Sequence, residues 1–89
     1  MSDYLTEGLR GFKARDVIIP ILEKSKVPWS VVTGPRRFPH IVTVRREVFS
    51  ALRDLGYSYT KIGLICNREH TTVLIGVRRH KEKMNENYN

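Results

Sequence analysis

Apolar residues recur along this chain at helical spacings, and no stretch needs a β-strand to account for it. In DVIIPILEKSK, Val17, Ile18, Ile21 and Leu22 line one face of a first helix, with Asp16 placed to cap it. Pro20 has no N–H to donate, so this helix must begin just before it or kink there. VPWSVVTG predicts a short helix opened by Pro28 and closed near Gly34, with Trp29 as a core plug beside Val27, Val31 and Val32. Pro35 and Pro39 prevent PRRFPHIVT from being helical throughout, which leaves Arg36, Arg37 and His40 on a basic connector.

The strongest periodicity lies in VTVRREVFSALRDLG. Val44, Val48, Ala51, Leu52 and Leu55 share a face, Gly56 stops the helix, and Thr43 is the expected N-cap, which sets Arg45 and Arg46 in the first turn. YSYTKIGLICN predicts a short helix opening at Ser58, turning Ile62 and Ile65 inward and ending at Asn67. EHTTVLIGVRRHKEK predicts a final helix with Val73, Leu74 and Val77 inward and Arg78, Arg79, Lys81 and Lys83 along its outer length. The sum is an all-α domain of about five helices over residues 14–83. Residues 1–13, with Gly8 and Gly11 and little periodicity, are expected to form a loosely held arm available to a protein partner, and residues 84–89 a disordered tail.

Charge adds a partner to this picture. The 89 residues carry a net charge of +7, and the isoelectric point is near 10.0, which points to a polyanion. Residues 1–33 hold five basic and four acidic side chains, whereas residues 34–89 hold eleven and five, so the anion-binding surface belongs to the C-terminal two-thirds. Arg45 and Arg46 in a first helical turn oppose the partial positive charge of the helix N-terminus, a conflict that an external anion relieves. The single cysteine, Cys66, excludes an internal disulfide and a multi-cysteine zinc site, and with no secretory signal or apolar span the expected location is the cytoplasm.

Two helices joined by a short turn, the second opening on polar side chains, form the pattern of a helix-turn-helix DNA reader. Here the turn and helix entry read CNREHTTVL. Glu69 can accept from a cytosine amino group, a threonine methyl can pack on thymine, and Arg68 can reach guanine or phosphate.

The run NREHTTVL, preceded by SYTKIG, resembles the C-terminal DNA-binding domain of the DnaA family of bacterial replication initiators, whose signature reads approximately GRDHTTVLHA after an SLPEIG-like segment. The resemblance spans about residues 14–83. It implies a Trp-repressor-like helical fold in which Arg68, Glu69, His70, Thr71 and Thr72 meet bases in the major groove. It also implies that Arg45 or Arg46, with Arg36 and Arg37, reaches the minor groove and phosphates. His40, Lys61, Arg78 and Arg79 are further candidate phosphate contacts.

Three departures bear on target choice. Glu69 stands where the family has aspartate, the turn is one residue shorter, and Lys61 replaces a helix-starting glutamate. These 89 residues also contain no G-x-x-x-x-G-K-[ST] loop, so an ATP-driven initiator is not expected. The implied partner is double-stranded DNA, with regulation of replication or transcription as the outcome. The alternative is a protein-interaction module that keeps the fold and binds DNA weakly and without sequence preference. Catalysis by His70 with Glu69 or Cys66 is disfavoured because adjacent helical residues point about 100° apart. No cofactor is implied, and His40, His70, His80 and Cys66 show no recognised metal-ligand spacing.

Overall fold

Helix α4 (Pro39–Asp54) is the element against which most of the others assemble. Its buried face presents Val44, Val48, Phe49 and Leu52, the last three at most 1% exposed. The computed structural model describes the backbone of residues 3–9 and 13–88. Five further helices occur there: α1 (Asp3–Thr6), α2 (Arg15–Ser25), α3 (Trp29–Val32), α5 (Tyr59–Cys66) and α6 (His70–Tyr88). No strand is present among the described residues, so the domain is all-α as expected. No helix is long and apolar enough to cross a membrane.

The start of α4 differs from the expectation. The helix begins at Pro39, four residues before Thr43, because proline at a first helical position has φ already set and needs no N–H partner there. Thr43 is therefore an interior residue, and its hydroxyl donates back to the Pro39 carbonyl at 3.0 Å. This moves Arg45 and Arg46 out of the first turn. Asp16 likewise falls inside the first turn of α2, after Ala14 at the cap. Pro20 lies within α2, which forgoes one backbone bond and still buries Ile18, Ile21 and Leu22.

The N-terminal segment is more firmly held than an arm. Leu5 and Leu9 are buried, and α1 packs on α2 and α3. Residues 1, 2 and 10–12 lie outside the described residues. Trp29 is 6% exposed and fills the core with Leu9, Ala14, Ile18 and Val32. At the other end the backbone of α6 stays helical to Tyr88, through the segment expected to be a disordered tail.

The α5–α6 pair follows from local chemistry. Ser58 caps α5 by accepting from the Lys61 N–H at 3.1 Å, and Ile62 and Cys66 are fully buried. Asn67 ends the helix in the left-handed conformation (φ 60°, ψ 48°). The Arg68 N–H then donates to the Gly63 carbonyl at 2.8 Å. That closure brings the turn so near Gly63 that a Cβ there would collide with the Arg68 carbonyl oxygen. Gly76 serves the α4–α6 crossing in the same way, since its Cβ would stand 2.7 Å from the Phe49 ring. Val73 and Val77 bury the inner face of α6.

Gly63→Ala is expected to destabilise the domain by about 2–3 kcal/mol, because backbone rather than a flexible side chain occupies the space. Leu64→Ala, one residue along on the exposed face, should change stability by less than about 0.5 kcal/mol. Urea denaturation of the two variants checks the contrast.

Candidate nucleic-acid interface

Glu69, His70, Thr71 and Thr72 are all exposed and make no side-chain hydrogen bond to any described residue. They occupy the turn end and the first turn of α6, where the Val73 N–H donates to the Glu69 carbonyl at 3.2 Å as the helix begins. Val73 and Val77 anchor the opposite face. The helix thus presents one donor–acceptor imidazole, two hydroxyls and one carboxylate outward from a fixed base.

Beside them lies the four-residue loop 35–38, on which Arg36, Arg37 and Phe38 are exposed. Its backbone, and the end of α3 before it, are held by two guanidinium groups. Arg45 is only 6% exposed. Its Nε donates to the Val32 carbonyl at 2.7 Å, and its Nη2 to Arg36 at 2.9 Å and to Val31 and Gly34 at 3.3 Å each. With its guanidinium taken up by these carbonyls, Arg45 positions the loop rather than reading bases, which corrects the role expected of it. Burial and the neighbouring Arg68 and Arg37 lower its pKa from the ordinary guanidinium value, and the four carbonyls hold the charge in place.

Arg68 also departs from its expected role as a base reader. Half-buried, it donates through Nη2 to the Gly34 carbonyl and through Nη1 to Asn67 at 2.9 Å and Thr33 at 3.4 Å. The Asn67 side-chain amide donates to the same Thr33 carbonyl at 3.1 Å. The helix-turn-helix turn is in this way bracketed to the strand of chain that leads into the basic loop. Of the paired alternatives on α4, Arg46 is the half-buried residue still within reach of a ligand.

Arg46 lines a groove of about 430 Å³ between the loop, α4 and α6, together with Pro35, Arg37, Phe49, Thr72 and Ile75. The groove brings Arg37, Arg46 and Thr72 together, with an apolar floor. Arg45 and Arg68 also line it, whereas His40, Lys61, Arg78 and Arg79 do not. His40 is exposed, with Nε2 3.3 Å from the Ser25 carbonyl at the end of α2. Lys61 is exposed in the first turn of α5, and Arg78 and Arg79 are exposed farther along α6, where Arg78 lines a separate cleft with Tyr59 and Glu82. Arg53 joins α4 to the start of α5, donating to the Tyr57 carbonyl at 3.0 Å and lying 4.3 Å from the Tyr59 ring centre.

Cys66 is fully buried behind this surface, and burial pushes its thiol up to about 12 against the opposing pull of Arg68 and Arg45. A neutral, enclosed thiol does not serve as a nucleophile. Among the described residues no cluster of three or more His, Cys, Asp or Glu side chains is placed to hold a metal ion.

Sequence reasoning missed three features of the surface: the bracketing role of Arg45 and Arg68, and the exposure of Phe38 (63%) and Ile75 (50%). For Arg45 a signal existed. It precedes Val48, Phe49 and Leu52 by three, four and seven residues, so it occupies a position on the buried stripe of α4.

Arg45→Ala is expected to destabilise the fold by about 3 kcal/mol, since it leaves the Val32 and Arg36 carbonyls without their donor and removes a buried side chain. Arg45→Lys should recover little, because one ammonium cannot reproduce the fork. Arg36→Ala, which removes an exposed side chain, should stay within about 0.5 kcal/mol. Thermal and urea unfolding of the three variants tests this. Compared with family models, curated proteins and solved structures, the chain matches none.

Proposed function

We propose that this chain reads double-stranded DNA by sequence, placing the first turn of α6 in a major groove while the basic loop and Arg46 meet the adjacent minor groove and phosphates. The observation that carries this reading is the exposed set Glu69, His70, Thr71 and Thr72, without internal partners, on a helix anchored by Val73 and Val77. Groups that bond to nothing within the fold are free to bond to base edges. Arg36 and Arg37 supply charge on the same side through the loop that Arg68 and Asn67 tie to the turn. The net charge of +7 favours the polyanion over a neutral ligand.

The likeness of NREHTTVL to the DnaA signature makes an initiator-type box the natural target, acted on in the cytoplasm to regulate replication initiation or transcription. In this reading Glu69, His70, Thr71 and Thr72 read bases. Arg36, Arg37 and Arg46 handle the backbone and minor groove. Arg45 and Arg68 position the loop and turn rather than touch DNA. Lys61, His40, Arg78 and Arg79 are peripheral charges that add to phosphate attraction. A second reading, a protein docking on this surface, is favoured by one observation: Leu64 is 76% exposed and shares a shallow cleft with Glu69.

Fluorescence anisotropy with an initiator-type box and a shuffled duplex separates the two. His70→Ala or Thr72→Ala is expected to weaken binding to the preferred site by about 1–3 kcal/mol and to leave the shuffled duplex nearly unchanged. Arg36→Ala should weaken both duplexes alike and reduce the salt slope by about one. Weak binding that ignores sequence and is unaffected by His70→Ala would favour the protein-docking reading.

A further inference from the structure

Phe38 is the one exposed aromatic of the basic loop, 63% accessible, while Phe49 and Trp29 are buried in the core behind it. It directly follows Arg36 and Arg37 and precedes Pro39. Its backbone is extended (φ −60°, ψ 144°), and its carbonyl accepts from the Val42 N–H at 2.9 Å as α4 begins. The chain on the other side is clamped by Arg45 at the carbonyls of Gly34 and Arg36, and Pro35 and Pro39 restrict the backbone between. A phenyl group is thus held out on a short segment that is fixed at both ends and positively charged. The same segment is joined through Thr33 and Gly34 to Asn67 and Arg68 of the helix-turn-helix turn.

We propose that Phe38 is a wedge that enters a base step from the minor groove and partly unstacks it when the chain binds duplex DNA. The inference rests on the DNA-reading function proposed above. Arginine favours the narrow, electronegative minor groove, and apolar side chains inserted beside it open a base step at a cost of about a few kcal/mol. A flexible loop would yield before the stacked bases did. The clamp by Arg45 and the start of α4 make this segment stiff enough to transmit the load, and stacking of the phenyl against an opened base offsets part of the cost. Pyrimidine–purine steps, the most easily opened, are the expected point of entry.

The test uses the full chain and a duplex obtained by in-vitro selection for binding. Each adenine of the site and its flanks is replaced in turn by 2-aminopurine, and fluorescence is read alongside anisotropy. Saturating protein is expected to brighten one position, at a pyrimidine–purine step, about threefold or more as stacking is lost there. Phe38→Ala should abolish the brightening and weaken binding about tenfold, while Phe38→Leu keeps part of both. Circular dichroism should show unchanged helix content in both variants, since the residue is exposed. Saturable binding with no brightened position, or brightening that survives Phe38→Ala, overturns the wedge and leaves the DNA reader standing. Failure to bind any selected duplex overturns the DNA reader and the wedge together.

Discussion

The carbonyl of Gly34 receives hydrogen bonds from two guanidinium groups, Arg45 of α4 and Arg68 of the α5–α6 turn, and the geometry of the surface depends on that convergence. A helix end followed by two prolines leaves carbonyls that no regular structure satisfies. The two arginines take up those of Val32, Thr33, Gly34 and Arg36, Asn67 sharing Thr33, and Arg45 joins the Gly34 N–H already bonded to the Val31 carbonyl. Without the arginines the loop would have to turn its carbonyls to water. With them, the loop becomes an extension of the α4 surface, and its own side chains are left facing out.

The same convergence sets what each charge can do. Arg45, only 6% exposed at the edge of the groove, has its guanidinium taken up by loop carbonyls, so its charge raises the local potential more than it offers contact. Arg68 sits between the turn and the loop and fixes their separation. The exposed Arg36, Arg37, His70, Thr71 and Thr72, and the half-buried Arg46, therefore have backbones placed by buried bonds rather than by their own contacts. This is the arrangement expected of a preorganised binding surface, in which little ordering remains to oppose association. Gly63 and Gly76 contribute by absence, letting the turn close on α5 and α6 lie on Phe49.

Much of the fold was legible because it rests on local rules. The apolar stripe of α4 up to Leu52, the Ser58 cap, the left-handed Asn67 and the inward Val73 and Val77 follow from residue type and spacing within a few positions, whereas Leu55, expected on that stripe, is 47% exposed at the helix end. The start of α4 was misplaced because a loop reading of the two prolines hid the fact that Pro39 suits a first helical position. Helix α1 was not foreseen because two leucines four residues apart, Leu5 and Leu9, make too short a pattern to mark a helix, and their burial depends on partners in α2 and α3. The exposed cluster on α6 was legible as chemistry. The roles of Arg45 and Arg68 were not, since an arginine reads as a solvated cation until the carbonyls that receive it, Arg45's from nine to fourteen residues earlier and Arg68's from about thirty-five, are folded against it.

Under the proposed function the loop and the first turn of α6 form one binding surface facing a single duplex. Amide proton–nitrogen correlation spectra recorded while a selected duplex is titrated in test it most directly. The amides of Arg36, Arg37 and Phe38 are expected to shift with those of His70, Thr71 and Thr72 along one common binding curve, while those of α2 (Arg15–Ser25) stay in place. Shifts confined to one of the two segments, or centred on α1 and α2, would contradict the single surface.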